Sequence, residues 1–245
     1  MALSSLAIFR MVISKRLTPA FLQISLALAI AQQTPSLNLL FLSKNQTIIL
    51  LTKEVDMRII GGSRRGATLT KLDAVNTRPT ADRVRESLFN ILQGGRFRQL
   101  LKDCHVIDLF AGTGALGLEA VSRGAAFASF VENNSEALAV LRANIAKLRF
   151  QSSTTVLAVD AVSLSHWRGK PAQLVFADAP YQSGDGLIAV NALANIGAIA
   201  NGAIIVVETG KAETLNSSNG DTAPYTMIET RSYGKALLHF LTYLR

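Results

Sequence analysis

Cysteine is nearly absent from this 245-residue chain, and its one copy, Cys104, excludes an internal disulfide and a cysteine-rich zinc site. Cys104 opens an apolar run, where a buried small hydrophobe is the expected role rather than a reactive thiol. Histidine is scarce too: His105, His166 and His239 show no metal-ligand spacing, so no metal is expected. Charged residues make up only 17% of the chain against 49% hydrophobic ones. That balance supplies one sizeable core, and the length allows one domain plus an appendage. Repeats and low-complexity tracts are missing. The apolar run at 17–31 is short and broken by Gln23 and Ser25, which argues against a membrane span.

Acidic residues are missing altogether from 1–53. Lys15 and Arg16 precede the apolar run, and Ala29-Ile30-Ala31 ends it like a small-residue cleavage site. The segment thus resembles a secretory signal displaced from the N-terminus. An acid-free start containing Lys, Arg and Ser also fits an organellar transit peptide. A third reading takes Met57 as the true start and the rest as upstream sequence read in frame. The third is adopted because a recognisable domain begins at Met57, and 1–56 is expected to be a poorly structured extension.

What is present is unevenly spread. Residues 1–56 carry a net charge of +3, 57–102 carry +7, and 103–245 carry −2. A basic block ahead of a near-neutral body fits an element that meets a polyanion, although a merely solvated basic face gives the same count. Within the block, 57–72 reads as a β-hairpin around a Gly/Arg-rich turn. Pro79-Thr80 opens a helix with Thr80 as N-cap, and Val84, Leu88, Ile91 and Leu92 recur at helical spacing up to Gly94-Gly95. Arg83 and Glu86 should lie near each other on it, with Arg85 pointing away from the apolar stripe.

From Cys104 onward, short apolar runs alternate with helical patterns. Strands are expected at 105–110, 127–132, 155–160, 174–178 and 203–208, and helices at 115–123, 135–148 and 186–199. Runs this short and apolar form a parallel sheet covered on both faces. Two further strands, 226–231 and 235–243, join through Tyr233-Gly234 as an antiparallel hairpin. The expected architecture is therefore α/β: a mostly parallel seven-stranded sheet with a C-terminal antiparallel hairpin, preceded by a small β-hairpin and helix. The expected segments are the extension 1–56, the basic, RNA-facing block 57–102 and the catalytic domain 103–245.

The chemistry sits at three strand ends. Gly112, Gly114 and Gly117 match G-x-G-x-x-G after the strand that ends in Asp108, and glycine lets a cofactor lie against backbone. Glu132 ends the next strand, where a carboxylate accepts hydrogen bonds from two ribose hydroxyls. These features fit both a nicotinamide dinucleotide and S-adenosylmethionine. Asp108 favours the second, because an acid beside the turn opposes a pyrophosphate but suits a sulfonium and an ammonium; a turn-capping carboxylate is its structural alternative. Asp160-Ala161 fits the position that hydrogen-bonds the adenine amino group, or an N-cap. At the fourth strand end stands Asp178-Ala179-Pro180-Tyr181. A planar amino group has its lone pair delocalised into the ring. The Asp178 carboxylate and the Ala179 carbonyl could both accept from the NH2 and aim it at a methyl donor. Pro180 would shape the loop and Tyr181 would stack on the base, worth roughly 1–3 kcal/mol. Alone, the same tetrapeptide would be a plain turn.

Asp108 to Gly117, Glu132, Asp160 and Asp178 to Tyr181 together resemble the amino-methyltransferase pattern, whose tetrapeptide is usually Asp/Asn-Pro-Pro-Tyr/Phe. Met57-Arg58-Ile59-Ile60-Gly61-Gly62, followed by Arg78-Pro79-Thr80-Ala81-Asp82-Arg83-Val84-Arg85-Glu86-Ser87-Leu88-Phe89-Asn90, is similar to the start of the bacterial 16S ribosomal RNA guanine-N2 methyltransferases. The resemblance implies a Rossmann-like class I methyltransferase domain with S-adenosylmethionine as donor. It also implies N2 of guanine 966 as target, in the small ribosomal subunit or its assembly intermediate. Asp108, Gly112, Gly114, Glu132, Asp160 and Ala161 would then hold the cofactor, and Asp178, Ala179, Pro180 and Tyr181 the target base. Arg58, Arg64, Arg65, Arg78, Arg83 and Arg85 become candidates for phosphate contacts, and Arg78 and Thr80 for the crevice as well. A cytoplasmic monomer without stable membrane association is expected, or an organellar protein if 1–56 is a transit peptide. Ala179 departs from the family's proline; the carbonyl survives while the ring that stiffens the loop is lost. The alternatives are an adenine-N6 or glutamine methyltransferase, a nicotinamide-dependent oxidoreductase, and a non-catalytic RNA-binding module on the same fold.

Overall fold

The computed structural model describes residues 8–9, 37–42, 47–52, 57–72, 79–180, 184–213, 215 and 224–245. The chain divides into two compact units, Met1–Asp56 and Met57–Arg245. In the first, strands β1 (Ile8–Phe9), β2 (Leu37–Leu42) and β3 (Thr47–Thr52) pair antiparallel in the order β1-β3-β2. The sequence reading assigns no element to that stretch.

In the second unit, apolar runs form β4 (His105–Leu109), β5 (Phe127–Glu132), β6 (Thr154–Ala158), β7 (Ala172–Ala177) and β8 (Ile199–Gly210). Strands β9 (Tyr225–Tyr233) and β10 (Ala236–Tyr243) close the chain as the expected antiparallel hairpin. The seven strands lie in the order β6-β5-β4-β7-β8-β10-β9, parallel from β6 to β8. The helices are α1 (Pro79–Leu92), α2 (Ala115–Ser122), α3 (Ser135–Leu148) and α4 (Asp185–Asn195).

Side chains alternate across a strand, and here both faces are buried. Val106, Phe130, Leu174, Phe176, Val206 and Phe240 enter one core with Leu88 and Phe89 of α1, Leu118 of α2 and Leu141 of α3. Ile107, Val131, Val175, Ala177 and Val207 enter the other with Leu187, Val190 and Leu193 of α4. Each such side chain, fully buried, contributes about 1.5–3 kcal/mol. Asn134 caps α3 by accepting from the N–H groups of Glu136 and Ala137.

Three local expectations change. The front hairpin shrinks to a single bridge between Arg58 and Thr68 around a 3-10 turn, Gly62–Arg64, because Glu119 takes the N–H groups of Ile60 and Gly61 that a strand partner would need. Thr80 is the second residue of α1 and not its N-cap; Pro79, with φ preset and no N–H to satisfy, starts the helix. Arg85 faces inward. It is buried, and its Nη2 donates to the Arg58 carbonyl (2.7 Å) and to Asp82 Oδ1 (3.0 Å).

Candidate active site

Three acidic residues converge at the carboxyl edge of the parallel strands. Asp108 lies in β4 opposite Phe176 of β7, so Asp178, just past β7, lies two positions further along. Ala177 pairs with Val207, so Glu208 of β8 is the next neighbour of Asp178. Alternation puts Glu208 on the same face as Val206 and Phe176, the face covered by α1 to α3. Burial, Glu208 and then Asp108 all raise the affinity of Asp178 for a proton. Asp178 itself is exposed to solvent at the strand end. The upward direction is what two neighbouring carboxylates require.

Asp108 is 2% exposed, and its Oδ2 accepts from the N–H of Gly117 at 2.8 Å. Burial pushes its carboxyl up to about 7; the Gly117 hydrogen bond opposes this and Glu132 adds to it. The turn-capping alternative is therefore present in the structure. Gly117 has no room for a side chain: a Cβ would stand 2.3 Å from Phe130 Cε1. Phe110, Gly112 and Gly114 all have positive φ, at 56°, 54° and 82°, which bends the turn sharply between β4 and α2.

Glu132 accepts from the N–H groups of Gly112 (2.7 Å), Asn133 (2.9 Å) and Asn134 (2.8 Å). A carboxylate offers about four lone-pair positions, so one is left for a ligand hydroxyl. Asp160 caps the turn Ala161–Ser163 by accepting from Val162 N at 3.2 Å, and Ala161 is buried beside it. Ala179 is buried and Pro180 exposed. Tyr181, Arg78 and the side chain of Thr80 lie outside the described residues.

The phosphate candidates separate. Arg58, Arg65 and Arg83 are exposed. Arg64 is exposed too, but its Nε donates to the Leu148 carbonyl at 2.9 Å and its guanidinium lies 5.6 Å from the Phe150 ring centre. Arg85 is committed inside, as described above.

Sequence reasoning missed Glu208 and the residues that dock the front segment. Glu119, fully buried on α2, accepts from Ile60 N (2.7 Å), Gly61 N (2.8 Å) and Arg123 Nε (2.6 Å). Asn144 of α3 bonds the Thr70 backbone and the Thr113 carbonyl, tying the front segment to the glycine turn. Gly62 adopts φ +77°, and a Cβ there would stand 1.8 Å from the Ser122 carbonyl oxygen. The available signals were Glu208 at a strand end and Glu119 as a lone acid in an apolar helix.

Hollow size does not mark this site. A hollow of about 690 Å³ beside Phe97, Cys104, Gly202 and Ile228 lies at the opposite, amino-terminal edge of the sheet. Cys104 is buried there, with its thiol pushed up to about 11 by burial, so the expected inert role holds.

The sheet order, the glycine turn and the acidic carboxyl edge define a Rossmann-like class I methyltransferase fold. The family model described as "Conserved hypothetical protein 95" matches residues 57–242. Ribosomal RNA small subunit methyltransferase D of Escherichia coli is 40% identical over 153 residues, covering 62% of this chain and 74% of that protein. The protein of the same name from Buchnera aphidicola subsp. Acyrthosiphon pisum is 31% identical, covering 66% of this chain and 83% of that one. The solved structure of yhhF from Escherichia coli superposes with a TM-score of 0.66 at 34% identity, over 77% of this chain and 98% of that one. The chain belongs to this family, that of the small-subunit ribosomal RNA methyltransferases D.

Proposed function

We propose that this chain transfers a methyl group from S-adenosylmethionine to the exocyclic N2 of a guanine in small-subunit ribosomal RNA, at position 966. The observation that carries the reading is the placement of Asp178 at the carboxyl edge, beside Asp108 and Glu208 and one strand from the glycine turn. An edge this acidic fits a donor with a sulfonium and an ammonium, and repels a pyrophosphate; that weighs against a nicotinamide dinucleotide. Glu132 keeps a position for a ribose hydroxyl, and Ala161 beside Asp160 fits an adenine. When bound, S-adenosylmethionine supplies the electrophilic methyl group.

The residues of the chain then position the acceptor. The Asp178 carboxylate and the Ala179 carbonyl accept from the two N–H bonds of the guanine amino group, which draws its lone pair out of the ring and toward the methyl carbon. Methylation would leave S-adenosylhomocysteine and release one proton from the amino group, which the Asp178 carboxylate, hydrogen-bonded to that N–H, would accept. Positioning and electrostatics carry the rate, without a covalent enzyme intermediate. Tyr181 and Pro180 hold the base in this reading. The exposed Arg58, Arg65 and Arg83 meet phosphates, Arg64 and Arg78 are assigned to the same role, and Arg85 holds the front segment and is withdrawn from that set. The enzyme works as a monomer on the subunit or its assembly intermediate, in the compartment that holds bacterial-type ribosomes.

Replacing Asp178→Ala tests the assignment. Titration with S-adenosylhomocysteine should show affinity within about twofold of the parent, while turnover falls at least about 100-fold, the scale of losing one preorganised transition-state contact. Parental turnover in the variant would remove Asp178 from the mechanism.

A further inference from the structure

We infer that the hollow beneath the connection from β6 to β7 is a second binding site, whose ligand is a planar aromatic anion the size of a nucleotide. The other parallel crossovers carry helices: α2 and α3 on one face, α4 on the opposite one. Between β6 and β7 there is only the turn Ala161–Ser163 and a loop. Part of the face that α4 covers elsewhere is therefore roofed by loop alone, over a hollow of about 440 Å³. That volume lies within the range of small-ligand sites.

The hollow is built for a flat ring. Ile107, Ser129 and Leu157 contribute to its floor and Trp167 to its roof. Trp167 is fixed by its own loop, with Nε1 donating to the Lys170 carbonyl at 3.1 Å. A Cβ on Gly169 would stand 3.0 Å from Cζ2 of the indole, so glycine there lets the ring lie against backbone. A second aromatic wall is His105 stacked on Phe127, with ring centres 5.8 Å apart and planes at 25°.

The rim is built for an anion. His105, His166, Arg168 and Lys170 line it, and none of the described lining residues is acidic. Burial and the nearby Lys170 both lower the proton affinity of His105, which places the lysine close to the aromatic wall. At β4, β5 and β7 the hollow lies away from Asp178, while along β6 its lining reaches Val159, next to Asp160. His105, Phe127 and Ala172 begin β4, β5 and β7, whereas Asp178 follows the end of β7. Stacking between Trp167 and a base, with phosphate held by Arg168 and Lys170, uses the two contact types that bind single-stranded nucleic acid. Free mononucleotide and a nucleotide within an RNA strand share this chemistry.

Trp167 is the single tryptophan of the chain, so intrinsic fluorescence reads the site directly. The full chain should be titrated with guanosine 5′-monophosphate and, separately, with a short single-stranded RNA, both in the presence of saturating S-adenosylhomocysteine. Saturable quenching is expected, weakened at least about tenfold by the paired substitutions Arg168→Glu and Lys170→Glu. Both positions are exposed, and circular dichroism of the variant should match the parent. Tighter quenching by RNA identifies a strand as the source; equal or tighter quenching by the mononucleotide identifies free nucleotide. Absence of saturable quenching by either probe, or quenching unchanged by the two substitutions, overturns the inference. So does quenching seen without S-adenosylhomocysteine and competed away by it.

Discussion

His239 is buried between neighbouring strands with a threonine hydroxyl on each ring nitrogen, Thr209 at 2.9 Å and Thr230 at 3.0 Å. A neutral imidazole satisfies both hydroxyls, donating at one nitrogen and accepting at the other; burial accordingly lowers its pKa. The unfolded chain therefore binds a proton here, near pH 6.5, that the folded chain resists. Stability from His239 is present above about pH 6.5 and declines as pH falls below it. Buried Asp108 is raised instead, so its contribution runs the other way and must be subtracted. Denaturant midpoints of the parent and His239→Gln, compared from pH 5 to 8, perform that subtraction. The parent should lose stability relative to the variant on the acid side; a constant difference would refute the neutral-imidazole assignment. At this scale the sequence was legible where residue type and strand end coincide, as for Asp108, Glu132 and Asp178. It was not legible for Arg85, because the apolar stripe was read without Phe89; Arg85 stands four residues before Phe89 on the buried face, where its guanidinium meets the Arg58 carbonyl.

At the scale of elements, the front segment is held by buried polar contacts as much as by apolar packing. Ile59 and Leu69 enter the core, while Glu119, Ser122 and Asn144 take the backbone groups between and beside them. Arg123 completes this clasp, paired with Glu119, with its guanidinium 5.0 Å from the Phe89 ring centre and bonded to Gln93 of the segment after α1. Removing Glu119 strands Arg123 and two backbone N–H groups, so Glu119→Ala should cost about 3–5 kcal/mol. Chemical denaturation measures this, and limited proteolysis should show faster cutting around 57–72. A variant as stable as the parent would mean that the clasp contributes little. The six-residue motif that opens the unit, Met57 to Gly62, thus has a structural reason independent of RNA. Gly61 and Gly62 pass against Arg123 and Ser122 where a side chain would collide. Strand and helix order was legible from alternating apolar runs, and so was the antiparallel pairing around Arg58 and Thr68; the length of that hairpin was not, because a distant buried carboxylate claims the N–H groups of Ile60 and Gly61.

At the scale of the whole unit, two features share one face of the sheet. The basic front block, through α1, packs on the face where the carboxylates of the site emerge; Phe89 of α1 meets Phe176 edge-on at 5.8 Å, two residues before Asp178. A +7 segment on the face where carboxylates emerge suits a ligand that is anionic along its backbone and receives a cationic donor at one point. Ribosomal RNA and S-adenosylmethionine make such a pair. The fold and the carboxylates at its strand ends could be read from the sequence, but the identity of the base could not, because carboxylate and carbonyl acceptors treat any exocyclic amino group alike. The direct test is methyl transfer from labelled S-adenosylmethionine to small ribosomal subunits that lack the modification, followed by nucleoside analysis of the 16S RNA. The label should appear as N2-methylguanosine at one position; label in N6-methyladenosine, or none in RNA from protein that binds the cofactor, would contradict the account.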